Sequence, residues 1–220
     1  MNMNLKKTLG EYYSKRAKEY EEVYHRPDKR RLKELQTLAK YITKTFKNRF
    51  VLEIACGTGF WTKHLIKSAK KILATDYNLS MLEIASLKLS KNPNIIFQQS
   101  DAYNPPTVSP KFNGAMANFW FSHIPKSKIV KFLDTLHSRL ESKSVVVFVD
   151  DVFIKGLGGE LIIKKNQKDT FKKRVLNSGE QFDILKNYYS KEELMKIFTK
   201  YSKRVEIKYL TNFWIVKYIT

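Results

Sequence analysis

The stretch Leu52-Glu53-Ile54-Ala55-Cys56-Gly57-Thr58-Gly59 decides which fold the sequence predicts. Its first half completes an apolar segment over 50–55, typical of a buried strand, and a helix is predicted over 60–68. Two glycines placed two residues apart between a strand and a helix let the backbone approach a ligand closely. Thr62 stands where a dinucleotide site has glycine or alanine, and the Gly-Lys-Ser/Thr of a P-loop is missing. The turn therefore indicates a nucleotide-like ligand of another kind.

Short apolar segments alternate with helical patterns around this turn. Strands are predicted at 50–55, 71–76, 94–98, 112–119 and 144–150. Helices are predicted at 4–24, 28–46 and 60–68. Two more are expected, one opened by a capping box of Ser80 and Glu83 and one that starts at Pro125 and extends to Leu140. This alternation favours a doubly wound α/β sheet.

The chain after residue 150 departs from the alternation. Residues 151–189 contain a glycine-rich break and two alternating segments around Asn177-Ser178-Gly179, which predict an inserted hairpin. A capping box of Ser190 and Glu193 opens a helix to about Tyr201, and strands at 204–210 and 213–219 are expected to pair antiparallel. We predict one domain, built from N-terminal helices (1–48), a core (50–150), the hairpin (151–189) and a closing helix with two strands (190–220).

Three acidic residues follow or end successive strands. Glu53 precedes the glycines and suits a ligand with an ammonium or sulfonium charge. Asp76, nineteen residues after Gly57, ends the second strand, where a carboxylate can accept hydrogen bonds from ribose hydroxyls. Asp101 follows the third strand and is placed to contact an adenine amino group. The alternative is that Asp76 and Asp101 only cap the helices that follow.

The glycine turn, these acids and Ala117-Asn118-Phe119 together resemble the class I S-adenosylmethionine-dependent methyltransferases, over most of residues 50–150. The resemblance implies a mostly parallel seven-stranded sheet with a final antiparallel strand, helices on both faces and S-adenosylmethionine across the strand ends. It also implies that Glu53 or its neighbourhood faces the methionine end, Asp76 the ribose and Asp101-Ala102 the adenine. The cofactor-binding residues expected are Glu53, Ala55, Gly57, Thr58, Gly59, Trp61, Asp76, Tyr77, Met81, Asp101, Ala102, Asn118 and Phe119, and no metal ligand is expected.

Three further segments resemble a subgroup of bacterial small-molecule methyltransferases: Asn118 to Pro125, Arg174 to Gly179 and Lys186 to Tyr189. This similarity favours methyl transfer to a small organic acceptor by in-line displacement and leaves the acceptor open. Asn104-Pro105-Pro106 is similar to an element of enzymes that methylate base amines. That element follows the fourth strand, however, and here the segment follows the third, so we predict a loop.

His123 and Tyr13 are the candidate catalytic residues. His123 lies just beyond the fourth strand and is placed to act as a general base if the acceptor must lose a proton. Packing beside Trp120 is an equal alternative for it. Tyr13 and Tyr20, seven residues apart on one helix face, are expected with Tyr12 to form a lid over the site, unless this helix only packs on the sheet.

The predicted hairpin is the candidate wall of the acceptor site, because loops at strand ends carry specificity. Arg174, Phe182 and Tyr189 are its expected lining residues, and surface decoration is the alternative. Asp150-Asp151, at the end of the fifth strand, suits an amine acceptor or a simple turn.

The net charge is +20, from 41 Lys plus Arg against 21 Asp plus Glu, and only eight of the 41 are arginine. A field of this size attracts anionic partners, although lysines spread along the chain are also typical of a solvated surface. No apolar run is long enough to span a membrane and no secretory signal is recognisable, which predicts a cytoplasmic protein. The single cysteine excludes a disulfide framework.

Two other functions remain open at this point. The charge allows an RNA methyltransferase, against which stands the lack of any recognisable RNA-binding module. A non-catalytic domain of the same fold that binds an adenosine-containing ligand is also consistent with the sequence, because fold alone does not settle function. The oligomeric state is not predictable from the residues.

Overall fold

A computed structural model describes residues 3–220, which form six α-helices and ten strands. Helices α1 (Met3–Arg16) and α2 (Lys29–Thr45) precede the first strand. The core contains β1 (Phe50–Ile54), α3 (Thr62–Leu65), β2 (Lys71–Asp76), α4 (Leu79–Leu89), β3 (Ile95–Gln99), β4 (Phe112–Asn118), α5 (Ile129–Ser138) and β5 (Leu140–Asp151). The remainder contains β6 (Leu161–Ile163), β7 (Thr170–Val175), β8 (Gln181–Leu185), α6 (Lys191–Phe198), β9 (Val205–Tyr209) and β10 (Phe213–Ile219). None of the described helices is long and apolar enough to cross a membrane.

The main sheet has seven strands in the order β3-β2-β1-β4-β5-β10-β9. Strands β1 to β5 run parallel, whereas β10 is antiparallel to both of its neighbours. The order turns back on itself at β1 and β4, and the carboxyl ends of parallel strands at such a switch point form a crevice where ligands bind. The predicted doubly wound sheet with one antiparallel strand is therefore confirmed.

Two apolar layers cover the sheet, one on each face. Alternate residues of β5 point to opposite layers: Val145, Val147 and Val149 pack in the layer of α2, and Val146 and Phe148 in the layer of α5 and α6. Side chains at successive strand positions point to opposite faces of the sheet. A run of four valines and one phenylalanine is therefore buried only when both faces are covered. This explains why the 145–149 segment is apolar throughout.

The inserted region forms a sheet of its own, in the order β6-β7-β8. Strands β7 and β8 make the predicted hairpin, with Gly179 at φ 85° in its turn. The apolar side of this small sheet packs on α1, where Leu9 and Tyr12 meet Phe182 and Ile184. The hairpin and the N-terminal helix therefore form one unit beside the main sheet.

Several predicted helix boundaries were wrong. Helix α1 ends at Arg16, and Tyr20–Tyr24 is a separate 3-10 segment, so 4–24 is not one helix. The predicted helix 60–68 has α-helical bonding only at Thr62–Leu65, between hydrogen-bonded turns. The predicted helix from Pro125 to Leu140 is instead a 3-10 turn, Lys126–Lys128, then α5 over 129–138, because Pro125 has an extended ψ of 134°.

The capping box predicted at Ser80 and Glu83 is also wrong. Asn78 is the N-cap, with an extended backbone of φ −92° and ψ 118°, so the helix begins before Ser80. The Ser80 hydroxyl lies 3.2 Å from the Ser14 hydroxyl and contributes to the contact between α1 and α4. The second capping box, Ser190 and Glu193, is confirmed, with both of its hydrogen bonds present.

Candidate active site

A cavity of about 780 Å³, counting the part open to solvent, lies at the carboxyl ends of β1, β2, β3 and β4; we call it the first cavity. Helix α1 covers one side of it. Nine of the expected cofactor-binding residues line it: Ala55, Gly57, Asp76, Tyr77, Met81, Asp101, Ala102, Asn118 and Phe119. Both candidate catalytic residues, His123 and Tyr13, line it as well.

The glycine turn has an unusual backbone. Ala55 at φ 53° and Gly57 at φ 57° both lie in the left-handed region, and Gly59 follows at φ 80°. A Cβ on Gly59 would lie 2.9 Å from Leu89 Cδ1 and 3.2 Å from Ala85 Cβ, so glycine is needed there to let the turn pack on α4. The turn therefore packs closely on α4 at Gly59, while Gly57 faces the first cavity.

Asp76 fixes this turn to the end of β2. Its carboxylate accepts hydrogen bonds from the Gly57 amide (2.9 Å, to Oδ2) and from the Asn78 amide (2.9 Å, to Oδ1). Burial raises the pKa of Asp76, while the amides of Asn78 and Gly57 act in the opposite direction by binding the charged form. Each carboxylate oxygen has a further acceptor position for a ligand in the cavity.

Asp101 is held by two groups of the protein. Its Oδ2 accepts from the Lys6 ammonium at 2.7 Å and its Oδ1 from the Tyr103 amide at 3.0 Å. The Lys6 nitrogen also lies 4.3 Å from the centre of the Tyr77 ring. An ion pair therefore joins α1 to the loop after β3, across the end of the cavity where adenine was expected.

Four of the expected residues do not line the cavity. Thr58 donates from its hydroxyl to Glu21 at 2.6 Å, and the Trp61 indole donates to the Tyr24 hydroxyl at 3.2 Å, so both attach the turn to the 3-10 segment before α2. Gly59 faces α4, as described above. Glu53 is buried beneath the turn, and its Oε2 has no hydrogen-bond partner among residues 3–220. Burial raises the pKa of Glu53 to about 8.

Asn118 and Phe119 end β4 beside the glycine turn. The Asn118 Oδ1 atom is buried and without a hydrogen-bond partner within the described chain. Phe119 has a left-handed φ of 57°, which a residue with a side chain adopts only at a cost of about 1 to 3 kcal/mol. Its amide bonds to the Val149 carbonyl at 2.7 Å, which holds the ring at the mouth of the cavity.

Tyr13 and His123 form a hydrogen-bonded pair. The His123 Nδ1 lies 2.6 Å from the Leu185 carbonyl, which can only accept, so Nδ1 carries the hydrogen. The Nε2 atom of the neutral ring then accepts from the Tyr13 hydroxyl at 2.9 Å. Burial, and next the charge of Lys186, lowers the pKa of His123 well below its usual value, and burial raises that of Tyr13. Neither group is poised to exchange a proton at neutral pH.

This arrangement predicts a pH-dependent stability that depends on His123. Because the folded chain resists protonation of this ring, the unfolded state binds an extra proton below pH 6.5, and the free energy of unfolding decreases as the pH falls. We expect His123→Gln to lose less stability than the wild type between pH 7.5 and pH 5.5 in urea unfolding. His25→Gln, at an exposed histidine, is the matched control. Equal pH dependence in wild type and His123→Gln would contradict the assignment.

The predicted lid is present in part. Tyr13 and Tyr20 line the cavity, with ring centres 5.9 Å apart. Tyr12 instead points away and packs on Phe182, 5.5 Å between ring centres. Phe182 therefore supports α1, and Tyr189 is buried in the main core beside Phe121; neither residue lines the first cavity.

Arg174 does line a second cavity, which adjoins the first and has an empty volume of about 730 Å³. Four residues line both: Tyr13, Tyr20, Phe119 and His123. Sequence reasoning missed most of the second cavity, which also contains Arg16, Arg26, Arg31, Asp151 and Lys186. The rarity of arginine in this lysine-rich chain could have indicated these residues, because four of the eight arginines line this cavity.

Asp150 and Asp151 were predicted either to bind an amine acceptor or to form a simple turn. In the structure both bind a lysine of the chain. The Lys186 ammonium lies 2.8 Å from Asp150 Oδ1 and 2.9 Å from Asp151 Oδ2, and its side chain is 3% exposed. Both carboxylates raise the pKa of Lys186 against the effect of burial, and the charge of Lys186 lowers that of Asp151. Asp150 also accepts from the Ser122 amide at 2.8 Å, which connects this ion pair to the His123 segment.

The sequence is similar to those of known methyltransferases. Residues 51–143 match the methyltransferase domain family. An uncharacterized methyltransferase of Oceanobacillus iheyensis is 28% identical over 168 residues, 76% of this chain and 75% of the relative. A malonyl-[acyl-carrier protein] O-methyltransferase of Halalkalibacterium halodurans is 35% identical over 99 residues, 44% of this chain and 36% of the relative.

Solved structures share the fold along the whole chain. A DhpI-SAM-HEP complex superposes with a TM-score of 0.79 at 23% identity and covers 99% of this chain and 98% of that one. A SAM dependent methyltransferase from Aquifex aeolicus superposes with a TM-score of 0.65 at 17% identity, over 94% and 97% of the two chains. The likeness therefore includes the N-terminal helices and the inserted hairpin as well as the sheet.

Proposed function

We propose that the chain is a class I S-adenosylmethionine-dependent methyltransferase and that it transfers a methyl group to a small organic acceptor. The first cavity would hold S-adenosylmethionine and the second the acceptor. One observation carries this proposal: the two cavities meet at Tyr13, Tyr20, Phe119 and His123, so ligands in each would approach one another there.

The residues of the first cavity fit this cofactor. Asp76 would accept from the ribose hydroxyls, and Asp101 with Ala102 would contact the adenine, flanked by Tyr77 and Met81. At the other end the unpartnered Asn118 Oδ1 suits a ligand with a hydrogen-bond donor, such as an ammonium group. A Cβ on Gly57 would lie 3.6 Å from the Tyr20 ring, so any side chain there would fill the gap between the turn and the lid.

The buried acid beneath the turn supports the same proposal. Glu53 is buried, which raises its pKa and makes the charged form unfavourable unless a cation lies nearby. A sulfonium or ammonium group in the first cavity would favour the charged carboxylate across the turn. We therefore assign Glu53 an electrostatic role at this end, and Thr58, Gly59 and Trp61 the role of holding the turn in place.

S-adenosylmethionine, when bound, supplies a methyl group on a positively charged sulfur that leaves as a neutral thioether. The chain's own residues then have to align the acceptor and exclude water, which contributes several kcal/mol in well-oriented reactions. Tyr13, Tyr20 and Phe119 would form the apolar walls where the cavities meet. His123 is a weak base in this setting, and its Nε2 is free only if the Tyr13 hydroxyl moves away. We therefore assign both residues to positioning, with proton removal as a secondary role of His123.

The alternatives gain no comparable support. An RNA acceptor would need an exposed basic surface around the site, whereas the arginines near it line a cavity with Tyr24, Asp151 and Asn212 buried or partly buried around them. A non-catalytic binding domain would have no need for a second cavity joined to the first. Small-molecule methyl transfer accounts for both cavities.

The proposal is tested first by ligand binding and then by turnover. We expect S-adenosylhomocysteine to bind the full chain one-to-one at micromolar concentration in calorimetry, and S-adenosylmethionine labelled in its methyl group to pass label to some of a panel of small acceptors. Folded protein, freed of any ligand retained during purification, that shows neither heat nor thermal shift with either compound would refute the proposal. Cofactor binding without transfer to any acceptor class would favour the non-catalytic alternative.

A further inference from the structure

The second cavity is lined by more cations than carboxylates. Five positively charged side chains face it, and Asp151 is its one lining carboxylate among the described residues. The cations are Arg16, Arg26, Arg31, Arg174 and Lys186. Gathering like charges in a partly buried space is unfavourable unless something of opposite charge is bound there.

Two of the five cations lie within ion-pair distance of carboxylates of the protein. Lys186 is paired with Asp150 and Asp151, at 2.8 and 2.9 Å. Arg31 Nη1 lies 3.8 Å from Asp151, which Lys186 already shares, and the Arg31 Nε atom is buried without a hydrogen-bond partner within residues 3–220. Arg31 is 6% exposed, so this N–H group is removed from water. Asp150 and Asp151 therefore balance the charges of Lys186 and Arg31 but leave a hydrogen-bond donor of Arg31 unsatisfied within the described chain.

The other three arginines have no carboxylate within ion-pair distance in the described chain. Arg174 donates to the Gly158 carbonyl, and its Nε atom is buried without a hydrogen-bond partner among the residues that the structure describes. Arg16 lies over the Tyr12 and Tyr20 rings, 5.5 and 5.4 Å from their centres. Arg26 lines the same cavity, and burial together with the charges of Arg31, Arg174 and Arg16 lowers its pKa.

The nearest acidic residues outside the cavity are engaged elsewhere. Glu19 and Glu22 share a neighbouring groove with Arg16, Arg26 and Arg174. Glu19 accepts from the Asn177 amide at 3.2 Å, and Glu22 from the Asn177 side chain at 3.4 Å. These contacts attach the hairpin turn to the 3-10 segment, and neither glutamate forms an ion pair with an arginine of the cavity among the described residues.

We propose that the second cavity recognises an oxyanion of the acceptor, a carboxylate or a phosphoryl group, through Arg26 and Arg174 with Arg16 and Arg31 beside them. Arginine presents a planar set of N–H donors that matches both kinds of oxyanion. The remainder of the acceptor extends toward Tyr13, Phe119 and His123, where the cavities meet. This inference rests on the proposed function, because the acceptor is the ligand assigned to this cavity.

The test uses simple anions as probes on the full chain saturated with S-adenosylhomocysteine. Inorganic phosphate and acetate are titrated separately, with sodium chloride keeping the ionic strength constant, and binding is followed by calorimetry and thermal shift. We expect one of them to bind, and the stronger one distinguishes a phosphoryl acceptor from a carboxylate. Arg26→Gln and Arg174→Gln should each weaken that binding about tenfold or more, because each removes a charged hydrogen-bond donor. Arg204→Gln, at an exposed arginine just before β9, should leave it unchanged.

Failure of this inference is separable from failure of the proposed function. S-adenosylhomocysteine binding is measured first in all variants, and we expect it to be unchanged, because neither Arg26 nor Arg174 lines the first cavity. Retained S-adenosylhomocysteine binding with no response to either anion would overturn the oxyanion site alone. Anion binding that is equally strong in both variants would place the anion elsewhere and overturn it as well.

Discussion

Replacing Asp76 by alanine is expected to weaken S-adenosylhomocysteine binding at least tenfold, and up to about a hundredfold. Two losses combine in this variant. The direct hydrogen bonds to the ribose would be removed, and the Gly57 and Asn78 amides would lose the carboxylate that now accepts from both. The glycine turn would then no longer be fixed to β2, so the methionine end of the site would be affected along with the ribose end.

Calorimetric titration of wild type and Asp76→Ala measures this effect. Asp134→Ala, which removes an exposed carboxylate on α5, is the matched control and should bind like the wild type. Circular dichroism of each variant establishes that the chain is folded before the titration. An affinity for Asp76→Ala within threefold of the wild type would remove Asp76 from the cofactor site and return it to the role of a helix cap.

Lys186→Met is expected to lower the free energy of unfolding by about 3 to 5 kcal/mol. The lysine is buried between Asp150 and Asp151, and its removal leaves two carboxylates near each other with only Arg31 at 3.8 Å. For a chain of this size the change corresponds to a melting temperature lower by roughly 10 °C. The loss falls on the segment that carries His123, because Asp150 also accepts from the Ser122 amide.

Urea unfolding at pH 7.5 measures this prediction, with Lys191→Met as a control at an exposed lysine that begins α6. Adding Asp150→Asn and Asp151→Asn to Lys186→Met should recover part of the lost stability, because the unpaired charges are then absent. A Lys186→Met chain within 1 kcal/mol of the wild type would show that the buried ion pair does not contribute as we expect.

Local sequence patterns were sufficient to predict the main sheet and the first cavity. The strands β1, β2, β4 and β5 are apolar runs separated by turns. Gly57, Asp76 and Asp101 follow or end β1, β2 and β3, so the order of elements already places them at one edge. Helix ends were less predictable. Asn78 and Ser80 are both residue types that favour the N-cap; the helix begins after Asn78, and Ser80 instead contacts Ser14, which is distant in sequence.

The second cavity could not be predicted in the same way. Arg16, Arg26 and Arg174 come from α1, the segment before α2 and β7, and nothing in their spacing indicates that they meet. Whether a side chain reaches the cavity was equally hard to predict. Glu53 belongs to the glycine-turn motif, yet it is buried beneath the turn and does not line the first cavity. Tyr12 and Phe182 form a similar case, because each fits a site pattern and both pack on one another instead.

The position of β10 affects how the chain can fold while it is being synthesised. This strand lies between β5 and β9, although it follows both of them in sequence. The edge of β5, with the apolar run Val145 to Val149, therefore has no partner until residues 213–219 have left the ribosome. Unpaired apolar edges are sites of aggregation in nascent chains. Because β10 is synthesised after both of its neighbours in the sheet, we expect yield in the cell to depend on chaperones that bind the chain during this interval.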